Sequence, residues 1–459
     1  MLHSGARTMN GRPRRRFRAL AALVALGLVA AACGGGGRDD DDSTATTVGE
    51  DNGEETLIDT SQCPGDTSTG IDGNVIKLGT SLPQSGLYSA FAEILRGESA
   101  YFEYLNEEVG GVEIAGETYQ IELVNRDDEY QAEQTVSAVT ELINDEGVFA
   151  LFNVVGTKNN LAIRDLVNEL CVPNLFAATG SPAWGNTDYP WTLGTALVPY
   201  PLEMKALVDY LQENDPDASI AVLRANDDFG AAYSETLKSL IEGTDLTIAD
   251  EETYNVELFD TKSQITSLAA TNADVLVLGA TLIGCPDALI NVGLSAWDPM
   301  IYMSGTCTST TLMEAAGADA DGVFTVLPTL DPANAANDSN EAMALYKEKV
   351  AQYQPEAVST NGIVAYGWTA AALLVAMLEQ SPAADRVSVM ETARNFEASG
   401  VGILRPGASI SASADDWFLG ETFSLVQYSL ADEFFADVGD LIEEDGNTAE
   451  YTPDALING

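Results

Sequence analysis

A strand-turn-helix segment at residues 75–105 decides the fold of this chain. It opens with VIKLGTSLPQSG (residues 75–86), in which residues 75–79 predict a buried strand and the polar residues after them predict a turn. The apolar residues of the following helix fall on one stripe: Phe91, Ile94, Leu95, Phe102 and Leu105. The segment therefore reads as a βα unit whose strand and helix share one buried face.

The same alternation continues in two series. The first series predicts further strands at 119–123, 148–155 and 172–178, with helices over 136–143 and 161–170. The second series restarts after Pro199 with a helix at 204–211 and strands at 219–223, 274–279, 300–304 and 322–327. Strands that alternate with helices favour parallel sheets covered on both faces. We therefore predict an α/β fold of two doubly wound parallel-sheet lobes joined by a hinge.

Two proline-bearing segments, 197–201 and 327–332, are predicted to carry the chain between the lobes. These crossovers predict that lobe 1 comprises residues 74–198 and 331–395. Lobe 2 is then expected to comprise residues 199–330 and 396–459. The apolar helix at 363–377 is too short to span a bilayer, which needs about 20 residues, and is predicted to lie in the core, with Tyr366 and Trp368.

The front of the chain has the pattern of an export signal. Several arginines precede an apolar run at 19–32, which suits a signal peptide over residues 1–32. The run ends in Ala30, Ala31, Ala32 and Cys33 and resembles the lipobox of bacterial lipoproteins, which implies lipidation of Cys33. Residues 33–73 are rich in glycine, serine, threonine and acids and predict a flexible acidic tether. We expect an extracytoplasmic, lipid-anchored protein, with Sec and twin-arginine export both open.

Charge and histidine content exclude several classes of function. The chain has 71 acidic against 21 basic side chains, which makes binding to nucleic acid or to a membrane through a basic patch unfavourable. The only histidine, His3, lies in the predicted signal peptide. Histidine-dependent nucleophilic sites are therefore excluded from the mature chain, and no metal or cofactor is expected.

The cysteines that remain after Cys33 favour disulfides, because thiols oxidise outside the cytoplasm. The four cysteines permit three pairings. We favour Cys285 with Cys307, since each follows one of two consecutive predicted strands, and Cys63 with Cys171. Free buried thiols are the alternative.

Short motifs stand at the ends of the predicted strands, where ligands bind in open parallel sheets. They are Asp127-Asp128, Gly156-Thr157, the run 177–182 (AATGSP) and the run 227–230 (DDFG). With the first turn, these motifs resemble the periplasmic binding proteins of the leucine/isoleucine/valine-binding type, which feed ABC importers. The resemblance covers roughly residues 74–439 and supports the two-lobed type I fold.

The resemblance implies ligand contacts from both lobes. From lobe 1 it implies Ser85, Thr157, Ala178 and Thr179, with backbone N–H groups at helix starts receiving a carboxylate. The alternative is that the hydroxyl residues only cap their helices. Tyr88 is expected to wall the cleft or to pack.

From lobe 2 the resemblance implies Phe229, Thr281 and an acid in the loop after Ser304. That loop has Thr306 and no carboxylate, so recognition of an α-amino group is open, and Asp228 is the substitute.

The predicted function is that of a monomeric substrate-binding lipoprotein that closes on a small polar solute, such as a branched-chain amino acid or an amide, and delivers it to an ABC permease. It has no catalytic role in this hypothesis. The alternatives are an extracellular ligand-sensing domain of the same fold and a hydrolase using carboxylates such as Asp127 and Asp128.

Overall fold

The described part of the chain contains two large sheets and one two-stranded ribbon. The structure is a computed structural model and describes residues 67–458 together with Ile58, Thr60, Ser61 and Cys63. The predicted signal peptide, Cys33 and most of the predicted tether lie outside these residues. Each large sheet is the centre of one α/β lobe, as the sequence predicts.

The sheet of lobe 1 has the order β3-β4-β2-β5-β6-β7, with β1 beside β2. Its strands are β1 (Ile71–Asp72), β2 (Val75–Leu82), β3 (Val112–Ile114), β4 (Glu117–Asp127), β5 (Ala150–Phe152), β6 (Asn174–Ala177) and β7 (Thr192–Gly194). Strand β2 is parallel to β4 and β5, and β3 is antiparallel to β4. The connecting helices are α1 (Ala92–Tyr104), α2 (Ala132–Asn144) and α3 (Thr157–Leu170). All four predicted strands of the first series are present.

The sheet of lobe 2 has a parallel body, in the order β12-β11-β10-β8-β9. Its strands are β8 (Ser219–Ala225), β9 (Thr247–Tyr254), β10 (Val275–Gly279), β11 (Met300–Met303) and β12 (Phe324–Leu327). The helices of this part are α4 (Tyr200–Asn214), α5 (Asp228–Leu240), α6 (Lys262–Ala269), α7 (Gly284–Gly293) and α8 (Thr310–Ala316). The predicted restart of the pattern after Pro199 therefore coincides with the start of α4.

The chain then returns to lobe 1. It forms α9 (Glu341–Tyr353), α10 (Gly362–Gln380), α11 (Arg386–Ala393) and the ribbon β13 (Glu397–Ser399) with β14 (Ser409–Ser411). Phe396, Ala398 and Ile410 are buried in the core of lobe 1. The predicted boundary at residue 396 therefore differs from the observed path, because the apolar residues of the ribbon are buried against lobe 1 before the chain crosses back.

The last strands complete the sheet of lobe 2. They are β15 (Thr422–Ser429), β16 (Phe434–Asp437) and β17 (Ile442–Glu443), and α12 (Asp454–Asn458) follows. Strand β15 is antiparallel to β12, β16 and β17. Short helical turns occupy Gly86–Phe91, Leu105–Val109, Pro182–Gly185, Gly305–Cys307, Gly317–Ala320 and Ala335–Ser339.

Helix α10 is the most apolar helix of the described residues. Its length and composition would allow it to cross a membrane, yet 78% of its apolar window is buried inside the protein. Trp368 is buried there, as predicted for a core helix.

Both favoured cysteine pairs are bonded in the structure. Cys63 is bonded to Cys171, and Cys285 is bonded to Cys307. The first pair ties the start of the described chain to the end of α3. The second joins the start of α7 to the turn after β11.

Candidate functional site

Two adjoining cavities lie between the lobes, next to the crossovers. The hinge cavity spans about 780 Å³ and the cleft cavity about 440 Å³, and both volumes include space open to solvent. Both are lined by Leu197, Gly305, Thr306, Thr308, Gly362 and Tyr366. These residues come from a crossover, the turn after β11 and α10, so the two cavities adjoin each other along the interlobe seam.

The cleft cavity has mainly apolar walls. Lobe 1 contributes Phe91, Ile94, Val155 and Ala178, and α10 adds Ile363. The polar groups on this wall are hydroxyls, from Thr306, Thr308 and Tyr366. Such a surface can hold an apolar body and offer it a few neutral hydrogen bonds.

The hinge cavity contains a buried carboxyl group, that of Glu203 in the first turn of α4. The side chain is 2% exposed. It accepts hydrogen bonds from the hydroxyl of Tyr233 at 2.9 Å, the hydroxyl of Tyr302 at 3.3 Å and the backbone N–H of Gly305 at 3.0 Å. Burial raises the pKa of Glu203 to about 8, although these three donors oppose the shift.

Tyr366 connects the cavities to a second buried acid. Its hydroxyl donates to Oδ1 of Asn153 at 2.6 Å and lies 2.7 Å from Oγ1 of Thr195. Nδ2 of Asn153 donates to Oε1 of Glu98 at 2.5 Å. Burial raises the pKa of Glu98 to about 8, and the hydrogen bond from Asn153 opposes the shift. This network sets the orientation of the Tyr366 ring, and the sequence-based assignment of Tyr366 to the core alone is corrected.

The three predicted hydroxyl residues of lobe 1 do not share one place. Ser85 is exposed, and its hydroxyl donates to Oδ2 of Asp127 at 2.6 Å. Thr157 and Thr179 are buried, with their hydroxyl oxygens 2.7 Å apart. Oγ1 of Thr179 also lies 3.2 Å from the hydroxyl of Tyr200. The hydroxyl groups of Thr157 and Thr179 are therefore hydrogen-bonded to each other, and Thr179 is also hydrogen-bonded to Tyr200 of the protein itself.

Ala178 and Tyr88 lie along the interlobe seam. Ala178 lines the cleft cavity. Tyr88 is 4% exposed, stacks on Tyr130 with ring centroids 4.0 Å apart, and donates from its hydroxyl to the carbonyl oxygen of Val256 in lobe 2 at 3.2 Å. Tyr88 thus joins the two lobes outside the hinge and cleft cavities, and it lines a third, more open pocket between Lys158 of lobe 1 and Glu257 of lobe 2.

The predicted ligand-binding residues of lobe 2 also lie in different places. Thr306 lines both cavities. Phe229 is buried against Tyr200, with ring centroids 5.1 Å apart. The backbone N–H of Thr281 donates to the hydroxyl of Tyr254 at 3.4 Å. Asp228 is exposed.

Neighbouring Asp227 caps α5 by accepting from the N–H of Gly230 at 3.1 Å, and burial raises its pKa. The substitute role given to Asp228 therefore lacks support, because its side chain is exposed rather than placed in a cavity wall.

The sequence did not predict the buried acid Glu203 or much of the wall of the hinge cavity. Glu203, Gly362 and Thr308 line the hinge cavity and stand in no recognisable motif. One signal was available: both predicted crossovers, 197–201 and 327–332, contribute to the same wall. Residues where a chain passes between two lobes necessarily lie at the base of the gap.

Among the described residues, one cluster of three carboxylate side chains has the spacing to hold a metal ion. It consists of Asp416, Glu421 and Asp445. None of these three residues lines the hinge cavity or the cleft cavity.

Comparison with known proteins agrees with this architecture. Residues 75–429 match the family model described as periplasmic binding protein. The chain belongs to the periplasmic binding protein family, and the predicted family and fold class are confirmed.

Three solved structures illustrate the likeness in fold. An ABC transporter substrate binding protein of Aeropyrum pernix is 15% identical, with a TM-score of 0.74, covering 84% of this chain and 100% of its own. A fatty acid ABC transporter substrate-binding protein of Thermomonospora curvata is 20% identical, with a TM-score of 0.71 and coverage of 84% and 96%. A branched chain amino acid ABC transporter structure from Thermus thermophilus, with bound valine, is 17% identical, with a TM-score of 0.71 and coverage of 82% and 98%.

Proposed function

We propose that this chain is the substrate-binding lipoprotein of an ABC importer, which captures a small solute between its lobes and delivers it without chemical change. The observation that carries the proposal is the cavity pair on the interlobe seam. Its walls combine Ala178 and Val155 of lobe 1, Thr306 of lobe 2 and Leu197 of a crossover. A solute held there contacts both lobes at once, so binding stabilises the form in which the lobes are together.

The crossovers provide a hinge for this motion. The N–H of Leu330 donates to the carbonyl oxygen of Ile403 at 2.9 Å, and the N–H of Arg405 donates to that of Pro328 at 3.2 Å. The second crossover therefore lies against the turn between β13 and β14 of lobe 1. Rotation about such a narrow connection requires changes in few backbone angles. The Tyr88 contact with Val256 is on the far side of the cavities and serves as a latch of the closed form.

Export and anchoring belong to the same proposal. Cys33 carries the lipid, and the globular part acts as a monomer that presents the closed form to the permease. The tether ends earlier than the predicted residue 73, because Ile58 is buried in the core of lobe 1, Cys63 is bonded to Cys171 and β1 (Ile71–Asp72) pairs with β2. Globomycin sensitivity of processing and loss of membrane fractionation in Cys33→Ala test this step. Unchanged fractionation of the variant would contradict the lipid anchor.

Lobe closure is tested by comparing Tyr88→Ala with the exposed neighbour variant Ser89→Ala by small-angle X-ray scattering. We expect a larger radius of gyration for Tyr88→Ala, because it loses the interlobe hydrogen bond and the stacking on Tyr130. Native mass spectrometry of freshly purified protein identifies the retained solute. A protein that retains no small molecule and instead turns over a substrate would refute the carrier proposal.

A further inference from the structure

The charged groups around the two cavities are acidic. The lining residues include Glu203 and Asp331, and none of the described residues on either wall is lysine, arginine or histidine. The whole chain has a formal net charge of −50. A field of this sign lowers the local concentration of anions and raises that of cations. The cavities are therefore electrostatically unsuited to a ligand whose main charge is negative.

The two acids differ in their remaining capacity to accept hydrogen bonds. Asp331 accepts from the N–H of Ala333 through Oδ1 at 2.8 Å and from the N–H of Phe435 through Oδ2 at 2.7 Å, with Arg405 nearby. Its charge is compensated by the protein, and its role is to hold the second crossover to β16.

Glu203 keeps an acceptor position open. Oε2 receives two donors, from Tyr302 and Gly305, whereas Oε1 receives one, from Tyr233. A carboxylate has about four lone-pair positions, so Oε1 can accept one further donor. Among the described residues, no basic side chain is paired with Glu203. Burial raises the pKa of Glu203 to about 8 in the absence of a counter-ion, so a ligand that brings a positive charge is what stabilises the ionised carboxylate.

The hydroxyl groups that the family resemblance assigns to a ligand carboxylate are already hydrogen-bonded within the protein. The hydroxyls of Thr157 and Thr179 bond to each other, and Thr179 also meets the hydroxyl of Tyr200. An α-amino acid would need this position for its carboxylate while placing its amine near an acid. Glu203 lines the hinge cavity and the apolar wall lines the cleft cavity, and the two cavities share Thr306 and Leu197.

We infer that the ligand is a primary amine with an apolar body, whose ammonium group donates to Oε1 of Glu203 while the body lies against Phe91, Ile94, Val155 and Ile363. The inference rests on the proposed function and narrows its ligand class from small polar solutes to organic ammonium ions. Thr306 lines both cavities, so its neutral hydroxyl group lies between the ammonium end and the apolar end of such a ligand.

Isothermal titration with four probes of similar size tests the ligand class: hexylammonium, hexanamide, hexanoate and leucine. We expect hexylammonium to bind about tenfold more tightly than hexanamide, because a hydrogen bond to a charged partner is stronger than a neutral one by about that factor. Hexanoate and leucine should show no binding. Tighter binding of hexanoate or leucine, or equal binding of hexylammonium and hexanamide, overturns the inference and leaves the carrier proposal intact.

The Glu203→Gln variant assigns the effect to this residue. We expect its affinity for hexylammonium to fall about tenfold and that for hexanamide to stay unchanged. The exposed-acid variant Glu133→Gln is the matched control and should bind both probes as the parent protein does. Unchanged hexylammonium affinity in Glu203→Gln overturns the inference.

The wild-type probe comparison decides the ligand class even when the Glu203→Gln variant does not fold. Failure of all four probes overturns the inference too. The carrier proposal falls with it only when native mass spectrometry also finds no retained solute.

Discussion

The hydroxyl oxygen of Tyr200 lies 3.2 Å from Oγ1 of Thr179. Tyr200 begins α4, at the start of lobe 2, whereas Thr179 follows β6 in lobe 1. The bond therefore joins the two lobes beside the first crossover. The side chain of Thr179, a predicted ligand contact, is therefore engaged within the protein.

Replacement of Thr179 by valine should lower the free energy of unfolding by about 1 to 3 kcal/mol, because it removes the hydrogen bonds that the buried hydroxyls of Thr157 and Tyr200 make with Thr179. Urea denaturation measures the loss. Thr140→Val is the control, since Thr140 is exposed and bonds only to a carbonyl of its own helix. An equal loss in both variants would show that the contact between the lobes contributes nothing.

Gly97→Ala should destabilise the protein by about 2 kcal/mol, although alanine is the better helix former by about 1 kcal/mol. A Cβ at Gly97 would lie 2.1 Å from the carbonyl oxygen of Val364, because α1 and α10 approach through glycine. A Cβ at Gly367 would meet the carbonyl oxygen of Ile94 at the same distance. Thermal unfolding measures the change. Ser99→Ala, two residues along α1, should be close to neutral, and a stabilised Gly97→Ala would contradict this packing.

The stability of the protein should depend on pH through Glu98. Burial raises its pKa from 4.5 to about 8, so the folded state holds a proton that the unfolded state releases. Stability from this group is complete below pH 4.5 and is lost as the pH rises through about 8. In Glu98→Gln the stability difference between pH 5 and pH 9 should therefore be smaller than in the parent, by about 1 to 3 kcal/mol.

Denaturant titrations at the two pH values measure this difference. Glu133→Gln removes an exposed acid and should keep the pH profile of the parent protein. A profile that is identical in Glu98→Gln and in the parent would show that Glu98 does not retain its proton.

The two disulfides should contribute unequally to stability. The half-cystines of the Cys63–Cys171 pair are 108 residues apart, against 22 for Cys285–Cys307. In the chain-entropy description the longer loop gives about 5 kcal/mol and the shorter about 3 kcal/mol. Paired alanine variants, unfolded in urea, should follow this order. The opposite order would mean that the Cys285–Cys307 bond acts mainly by holding the turn that carries Thr306.

The parallel sheets were predictable because their strands bury both faces and read as apolar runs. Val275–Gly279 is of this kind. The lobe boundary after α11 was harder to predict from the sequence, since the short ribbon that begins with Glu397–Ser399 has no long apolar run. Its affiliation depends on the surface of lobe 1 against which it packs.

The candidate site was predicted only in part. Thr306 and Ala178 follow strand ends and do line the cleft cavity. Ser85 also follows a strand end, but the parallel register sets Leu82 beside Asp127, whose carboxylate takes the Ser85 hydroxyl. No local pattern contains this pairing, because the two residues are 42 positions apart.

Apolar periodicity was enough to indicate two α/β lobes and the segments that connect them, since burial of one face of a helix or both faces of a strand is a local requirement on residue type. The position of Glu203 was set by long-range packing. Its carboxyl group is buried only because Tyr233, Tyr302 and Gly305, from three separate elements, meet over the start of α4. Hydrogen-bond partners distant in sequence leave no periodic trace, so the chemistry of the cavity appears only when the chain is folded.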